Sequence, residues 1–221
     1  ATGRDSMVAN SVKVTVQTAP KSVALNITNK TIDLSSNERI FQLVGTISPS
    51  TANVYTHLKY TSSDKTVADV DENTGRVTAL KNGTATITVS TENNKTATCN
   101  VTVVTSPTGV TLDKSKATVD LSGTKTVELT AKIQPDTANI YTELSWISEA
   151  PEIAQVEKLN GSTVKVTGIS NGSAKIKVRT ENGKEATCVI VVETSITGIE
   201  IIPKTAKINM LEEHLFNLHK K

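Results

Sequence analysis

Residues 48–60 read SPSTANVYTHLKY, and residues 134–146 read QPDTANIYTELSW. The two stretches align without a gap, which places Tyr55 and Tyr141 at equivalent positions 86 residues apart. Self-similarity at a nearly fixed period of this size predicts an array of like modules. A property shared by tandem copies is more often mechanical or adhesive than catalytic.

A second repeated stretch and a repeated junction define the modules. ENNKTATC at residues 92–99 returns as ENGKEATC at residues 181–188, which is 89 residues later. The junction sequence occurs three times, as VTVQTAPKSV, VTVVTSPTGV and IVVETSITGI, beginning at Val14, Val101 and Ile190. The chain therefore holds two complete modules with parts of others on either side.

Four segments follow from this alignment. Residues 1–19 are predicted to be the last hairpin of a preceding repeat, and residues 196–221 the start of a truncated further repeat. Residues 20–106 form one complete repeat, here called module 1, and residues 107–195 form the second, module 2. Six apolar residues of the last segment fall where apolar residues of module 2 fall: Ile199, Ile201, Ile208, Met210, Phe216 and Leu218.

Apolar and polar residues alternate along module 2 with the period of β-strands. Val127, Leu129, Ala131 and Ile133 alternate in this way until Pro135 ends the pattern. Asn-Gly dipeptides and other turn signals recur about every 8 to 12 residues. About seven or eight short strands per module are typical of an immunoglobulin-like sandwich. The predicted fold class is all-β, as tandem immunoglobulin-like β-sandwiches.

Each module has one large aromatic residue and one cysteine at equivalent core positions. Tyr60 of module 1 aligns with Trp146 of module 2, and Cys99 aligns with Cys188. Both cysteines lie on the apolar side of an alternating strand, so we expect them to be small buried hydrophobic residues. Equivalent positions in tandem modules are too far apart for a disulfide. The sandwiches must therefore be held by aromatic and aliphatic packing.

A series of short motifs supports this fold. Module 1 contains VADV at residues 67–70, GRVTAL at 75–80 and NGTATITV at 82–89, and module 2 contains IAQV at 153–156 and NGSAKIKV at 171–178. Their order resembles the bacterial immunoglobulin-like domain group 2 family, whose modules occur in bacterial surface proteins, adhesins and some phage virion proteins. The resemblance covers essentially the whole chain. It implies a fold, but its motif residues are core and turn positions without a functional site.

The chain departs from the family pattern in two places. Tyr60 replaces the usual tryptophan in module 1, and three extra residues enter module 2 between Val156 and Gly172. Neither change is expected to alter the fold.

Charge and composition exclude several classes of function. Lysine and arginine number 24 against 22 acidic residues, and no basic stripe is present, so nucleic acid is not an expected partner. No apolar run in this fragment is long enough to span a membrane. The three histidines, His57, His214 and His219, lie at unrelated positions, and no phosphate-binding loop or nucleophile elbow is present. We expect no enzymatic activity.

Calcium is the one cofactor to consider, because hard cations bind several oxygen ligands at once. Asp64, Asp69, Asp71 and Glu72 are close in sequence. The cluster does not recur in module 2, and its second half reads as an ordinary Asx turn ending at Gly75. We therefore expect no cofactor, with a bound calcium ion as the less favoured alternative.

The only candidate ligand-contacting residues are Tyr55 and Tyr141, which share the context T-A-N-V/I-Y-T. An exposed aromatic ring can serve as a platform for a sugar or a protein side chain. The alternative is that each ring caps the end of its core and leaves its hydroxyl for solvent or a backbone partner.

The junction sequences favour a mechanical function. They are short, contain no glycine run, and in two of three cases carry a proline, at Pro20 and Pro107. The expected function is a non-catalytic spacer of a bacterial cell-surface or secreted protein that presents distal domains and contacts neighbouring repeats of the same chain. The alternatives are an adhesion module that binds host protein or carbohydrate, and a phage virion decoration domain. The expected location is extracellular, at the bacterial cell surface.

Overall fold

The computed structural model describes residues 12–200. This part of the chain is all-β and contains no helix, which confirms the predicted fold class. Consequently it also contains no apolar helix of membrane-spanning length. Residues 12–19 and 194–200 form no strand. The remainder of the two predicted end segments, residues 1–11 and 201–221, lies outside the described residues.

Module 1 is built from short strands that alternate buried and exposed side chains. Their bounds are β1 Ser22–Leu25, β2 Asn29–Asp33, β3 Ile40–Gln42, β4 Gly45–Ser48, β5 Leu58–Ser62, β6 Ala68–Val70, β7 Arg76–Ala79, β8 Gly83–Thr91 and β9 Thr96–Val104. One sheet has the order β2-β9-β8-β5, and the other face is formed by β3-β7-β6 and the β1-β4 pair. Only β2 and β9 pair in parallel among these strands.

Module 2 repeats this architecture. Its strands are β10 Gly109–Leu112, β11 Lys116–Asp120, β12 Thr126–Gln134, β13 Leu144–Ser148, β14 Ala154–Lys158, β15 Thr163–Gly168, β16 Gly172–Thr180 and β17 Glu185–Glu193. They form two four-stranded sheets with the orders β11-β17-β16-β13 and β10-β12-β15-β14. The parallel pair here is β11 with β17, which matches β2 with β9.

Each module has a separate hydrophobic core. No cluster of buried side chains in residues 12–200 includes residues from both modules. Ile87 and Ile176 are fully buried at equivalent positions of the two cores. Cys99 and Cys188 are also fully buried, and neither forms a disulfide. Burial raises the pKa of both thiols, so both are held in the neutral form.

The two modules differ in one strand. In module 2, β12 is continuous, whereas its counterpart in module 1 is split into β3 and β4 at Leu43 and Val44. Just after the split, the backbone N–H of Gly45 donates a hydrogen bond of 2.9 Å to the Tyr60 hydroxyl. The equivalent N–H of Ala131 in module 2 donates instead to the backbone carbonyl of Ser162, at 2.8 Å.

The source of this difference is the length of one hairpin. Ser162 lies between β14 and β15, where module 2 has its three extra residues. Module 1 lacks this longer turn, and the Tyr60 hydroxyl supplies the missing acceptor. The hydroxyl can reach Gly45 because this residue has no side chain: a Cβ there would lie 3.2 Å from the tyrosine oxygen and 2.6 Å from Leu58.

Trp146 cannot play the role of Tyr60, because an indole N–H is a donor and not an acceptor. Its side chain is partly buried and packs against both core clusters of module 2. The Nε1 atom has no hydrogen-bond partner. Tyr60 therefore contributes a backbone hydrogen bond to module 1, and Trp146 contributes packing alone to module 2.

We expect the substitution Tyr60→Phe to lower the free energy of unfolding of module 1 by about 1–2 kcal/mol, because it leaves the Gly45 N–H without its acceptor. Amide hydrogen exchange at Gly45 should accelerate in the same variant. The matched control is Trp146→Phe, which removes no hydrogen bond and loses only ring contacts. Equal Gly45 exchange in Tyr60→Phe and in the unsubstituted chain would contradict this role of the hydroxyl.

Candidate functional site

The most distinctive feature outside the cores is the buried linker between the two modules. It consists of Thr105, Ser106 and Pro107, between the end of β9 and the start of β10. Thr105 is 3% exposed and Ser106 is 7% exposed. The equivalent residues after module 2, Thr194 and Ser195, are exposed. The linker residues are therefore covered because a module lies on each side of them.

Module 1 holds the linker through Asp33, the last residue of β2. The carboxylate accepts hydrogen bonds from the Ser106 backbone N–H, at 3.0 Å, and from the Ser106 hydroxyl. Partial burial raises the pKa of Asp33, but the hydrogen bonds from Ser106 and Ser35 outweigh this effect and bring the pKa down to about 2. Asp33 is thus an ionised acceptor at neutral pH, and hydrogen bonds to a charged acceptor are stronger than neutral ones.

Module 2 holds the same linker from the other side. The Thr105 backbone N–H donates to Asn139 Oδ1 at 2.8 Å, and the Asn139 N–H donates to the Thr105 carbonyl at 3.0 Å. The Asn182 side-chain amide, in the turn between β16 and β17, donates to the Pro107 carbonyl at 2.8 Å. The polar backbone atoms of a buried segment need such partners, and module 2 provides them.

Asn82 joins the two modules directly. Its side-chain Nδ2 donates to the Thr137 carbonyl of module 2 at 2.6 Å, while its Oδ1 accepts from the Thr105 hydroxyl at 2.6 Å. Asn82 is positioned by the neighbouring Gly83, which has φ +149° and packs so closely on Val67 that a Cβ would lie 2.8 Å from a valine methyl. One side chain thus contacts module 2 and the linker together.

Parts of this arrangement recur at the outer ends of the two modules. Before module 1, Asn53 and the backbone of Thr18 form the same reciprocal pair, at 2.8 and 2.9 Å. After module 2, Asp120 accepts from the Ser195 N–H at 3.1 Å. Hydrogen bonds from Ser195 and Ser122 lower the pKa of Asp120, as those of Ser106 and Ser35 do for Asp33. Residues 12–200 thus contain one complete junction and half of two others.

A groove of about 620 Å³ lies beside the complete junction. Its walls come from both modules, with Leu80 and Lys81 on one side and Pro135 and Thr137 on the other. The groove includes the linker residue Thr105, and it exists because the two modules meet there.

The tyrosines predicted as ligand contacts lie two residues after the asparagines that hold the linkers. Tyr55 and Tyr141 are 52% and 50% exposed. Both have φ of +56°, a left-handed conformation that is rare for a bulky residue and more usual for glycine or asparagine. Neither ring belongs to a hydrophobic cluster of its module. The structure therefore presents two equivalent aromatic side chains to solvent.

The acidic cluster considered for calcium is occupied by local hydrogen bonds. The Asp64 carboxylate accepts from the N–H and hydroxyl of Thr66, and these bonds lower the pKa of Asp64. The Asp71 carboxylate accepts in the same way from Thr74, and its pKa is also lowered. Within residues 12–200, no three acidic, histidine or cysteine side chains converge on one point. The calcium alternative stays untested.

Asn82, Asn139 and Asp33 were not singled out by the sequence patterns, although a signal was present. The T-A-N stretch is identical in both modules, and its asparagine occupies neither a core position nor an Asn-Gly turn. Asn82 precedes Gly83, and an asparagine before a glycine is ordinarily explained by turn formation. Repetition of a polar residue without an apparent local role was the available indication of the junction.

Two stacked-sheet modules joined by a buried linker define a tandem immunoglobulin-like protein. A model of the bacterial Ig-like domain (group 2) family matches residues 40–101 and 107–191. The chain belongs to this family, which confirms the resemblance found in the motifs. Membership indicates a surface structural or adhesion module that is extracellular or surface-associated, and domains of this family are typically non-catalytic.

The match to an individual protein covers less of the chain than the match to the family does. A lacto-N-biosidase of Bifidobacterium bifidum is 34% identical over 88 residues, which cover 38% of this chain and 7% of that enzyme. The chain therefore corresponds to a small part of that relative.

Two solved structures show low overall likeness. Domains 1–6 of the surface-layer protein SbsC are 21% identical, over 81% of this chain and 29% of that one, with a TM-score of 0.36. Extracellular cadherin domains 1–4 of protocadherin gamma B7 are 9% identical, over 77% of this chain and 49% of that one, with a TM-score of 0.42. At these TM-scores, neither likeness indicates what this chain binds.

Proposed function

We propose that this chain is a non-catalytic spacer of a bacterial cell-surface or secreted protein, whose modules are held at a fixed angle so that distal domains are presented away from the surface. The observation that carries the proposal is the burial of Thr105 and Ser106 with hydrogen bonds from both modules. A linker that served only as a tether would be exposed and solvated.

The energetic argument rests on the number of bonds that bending must break. The linker and Asn82 make hydrogen bonds to module 2 through Thr137 and Asn139. Each contributes about 0.5–1.5 kcal/mol to stability, and more is lost when a buried group is left without a partner. Several such bonds together make reorientation of the modules unfavourable by a few kcal/mol, which leaves the bent states sparsely populated.

The same design suits a protein under load. Each module is a closed sandwich with its own core, and the last strand of one leads within four residues into the first strand of the next, from Val104 to Gly109. Every added module then adds a constant length and a constant rotation. A longer array would extend the distance between a surface and whatever domain it carries.

Substitution of Asn82 tests this proposal. We expect residual dipolar couplings of the unsubstituted chain to fit one alignment tensor for modules 1 and 2. Asn82→Ala removes the bonds to Thr137 and Thr105, at a cost of about 1–3 kcal/mol to the junction, and should make the two modules fit different tensors.

Asn171→Ala is the matched control, because Asn171 is the equivalent residue at the far end of module 2, where its side chain accepts from Thr194. It should leave the relative orientation of the modules unchanged. Two independent tensors for the unsubstituted chain would contradict the spacer proposal.

The tyrosines support a second candidate, adhesion to a host protein or carbohydrate. A left-handed conformation costs about 1–2 kcal/mol for residues other than glycine and asparagine. Two tyrosines in this conformation, half exposed and one repeat apart, suggest that the ring itself is needed outside the module. Two contacts one module apart would also raise the apparent affinity of a repetitive ligand.

For this candidate, we expect the chain to bind a component of a glycan or matrix-protein array and the Tyr55→Asn/Tyr141→Asn double variant to lose that binding. Asparagine tolerates the left-handed conformation, so the free energy of unfolding should change by less than about 2 kcal/mol. Tyr→Phe at both sites is the control that keeps the rings. Binding retained in the asparagine variant, or no binding by the unsubstituted chain, would argue against adhesion through these residues.

A further inference from the structure

The far end of module 2 carries residues like those at the end of module 1 that contacts module 2. We call these two surfaces the C-terminal faces of the modules. On module 2 this face consists of Asp120, Lys125, Ile169 and Asn171, which occupy the positions of Asp33, Arg39, Leu80 and Asn82 on module 1. The charge is kept at the first two positions, the apolar character at the third and the side-chain amide at the fourth.

Both C-terminal faces also form hydrogen bonds to the linker residues that follow them. Asp120 accepts from the Ser195 N–H at 3.1 Å, and Asn171 Oδ1 accepts from the Thr194 hydroxyl at 2.8 Å. The apolar residue of each face stays exposed, with Ile169 at 47%. Gly172 has a positive φ of +151°, as Gly83 beside Asn82 does, so the backbone next to both asparagines has the same conformation. The face of module 2 is thus already in the arrangement that module 1 uses.

The asparagine side chains of the two faces differ in one bond. Asn82 Nδ2 donates to the Thr137 carbonyl of the following module, whereas Asn171 Nδ2 donates to no group in residues 12–200. The linker residues Thr194 and Ser195 are exposed, whereas Thr105 and Ser106 are buried. Within residues 12–200, nothing covers the C-terminal face of module 2, whereas module 2 covers that of module 1.

The complementary surface is present at the other end of the chain. In module 1, Asn53 of the Thr-Ala-Asn stretch at residues 51–53 holds Thr18, and the Asn93 side chain donates to the Pro20 carbonyl at 2.8 Å. Module 2 uses Asn139 and Asn182 in the same two roles at the complete junction. Each module thus has one face of each kind, and the two kinds fit each other head to tail.

We infer that the C-terminal face of module 2 is a docking surface for a further module of this same type, with Asn171 Nδ2 donating to a backbone carbonyl in the Thr-Ala-Asn turn of that module. The inference rests on the proposed spacer function and adds a partner and a residue to it. Docking would bury Thr194 and Ser195 as Thr105 and Ser106 are buried, and would repeat the same angle at the next junction.

The test is a longer chain. Phe216 and Leu218 align with Val127 and Leu129, so Lys221 aligns with Lys132, and a copy of residues 133–195 added after Lys221 completes a third module in sequence. We expect hydrogen exchange at the Asn171 side-chain amide and the Ser195 backbone amide to slow by about tenfold or more relative to the original chain. The exchange rates of Asn82 and Ser106 in the same sample serve as the reference for a docked junction.

A second chain covers the case in which the completed module does not fold. It joins a copy of residues 107–195 directly to Ser195, so that every added residue belongs to a described module. In either chain, Asn171→Ala should return the Ser195 exchange rate toward its value in the original chain, without affecting Ser106.

Two results would overturn the inference. If Asn171 and Ser195 exchange as in the original chain while Asn82 and Ser106 stay protected, docking at this face is wrong and the spacer proposal stands. If Asn82 and Ser106 are also unprotected, both fail together.

Discussion

A buried peptide segment needs partners for its polar backbone atoms, and the linker at Thr105 to Pro107 finds partners on both modules. Asp33 provides a charged acceptor on one side, and Asn139 provides an amide that donates and accepts on the other. Because Asp33 and Asn139 belong to different sandwiches, their bonds to Ser106 and Thr105 form together only when the sandwiches hold one relative position. The geometry of the array therefore follows from hydrogen bonding and does not require a large apolar contact between the modules.

The two sandwiches show how the same fold tolerates different local solutions. In module 2, the longer hairpin offers the Ser162 carbonyl to β12, and Trp146 fills space without a hydrogen bond. In module 1 the hairpin is shorter, and the Tyr60 hydroxyl accepts from Gly45. The departure from the family's tryptophan and the difference in hairpin length are thus parts of one change. This coupling keeps a backbone donor paired in both modules.

Much of the fold could be predicted from local patterns. The alternation from Val127 to Ile133 and the Asn-Gly turns gave the strands and the fold class, because both signals depend only on neighbouring residues. The break between β3 and β4 could not be predicted, since it depends on a hydroxyl 15 residues away. The assignment of residues 20–106 and 107–195 as modules remains a prediction, although the strands of each module lie within these limits.

The residues of the candidate site were harder to predict from the sequence than the fold was. Tyr55 and Tyr141 were singled out by their shared context, but their left-handed backbone could not be foreseen for a residue with a large side chain. Asn82 and Asn139 act across the junction, and asparagine in a loop is ordinarily explained by turn formation.

The central claim is that the linker is held as firmly as the strands it connects. Backbone ¹⁵N relaxation of the whole chain tests this most directly, because order parameters report motion at each amide. The account predicts order parameters near 0.85 at Thr105 and Ser106, equal to those of the adjoining strands. Values below about 0.6 at these two amides would contradict it, because they would show a flexible tether between independently moving modules.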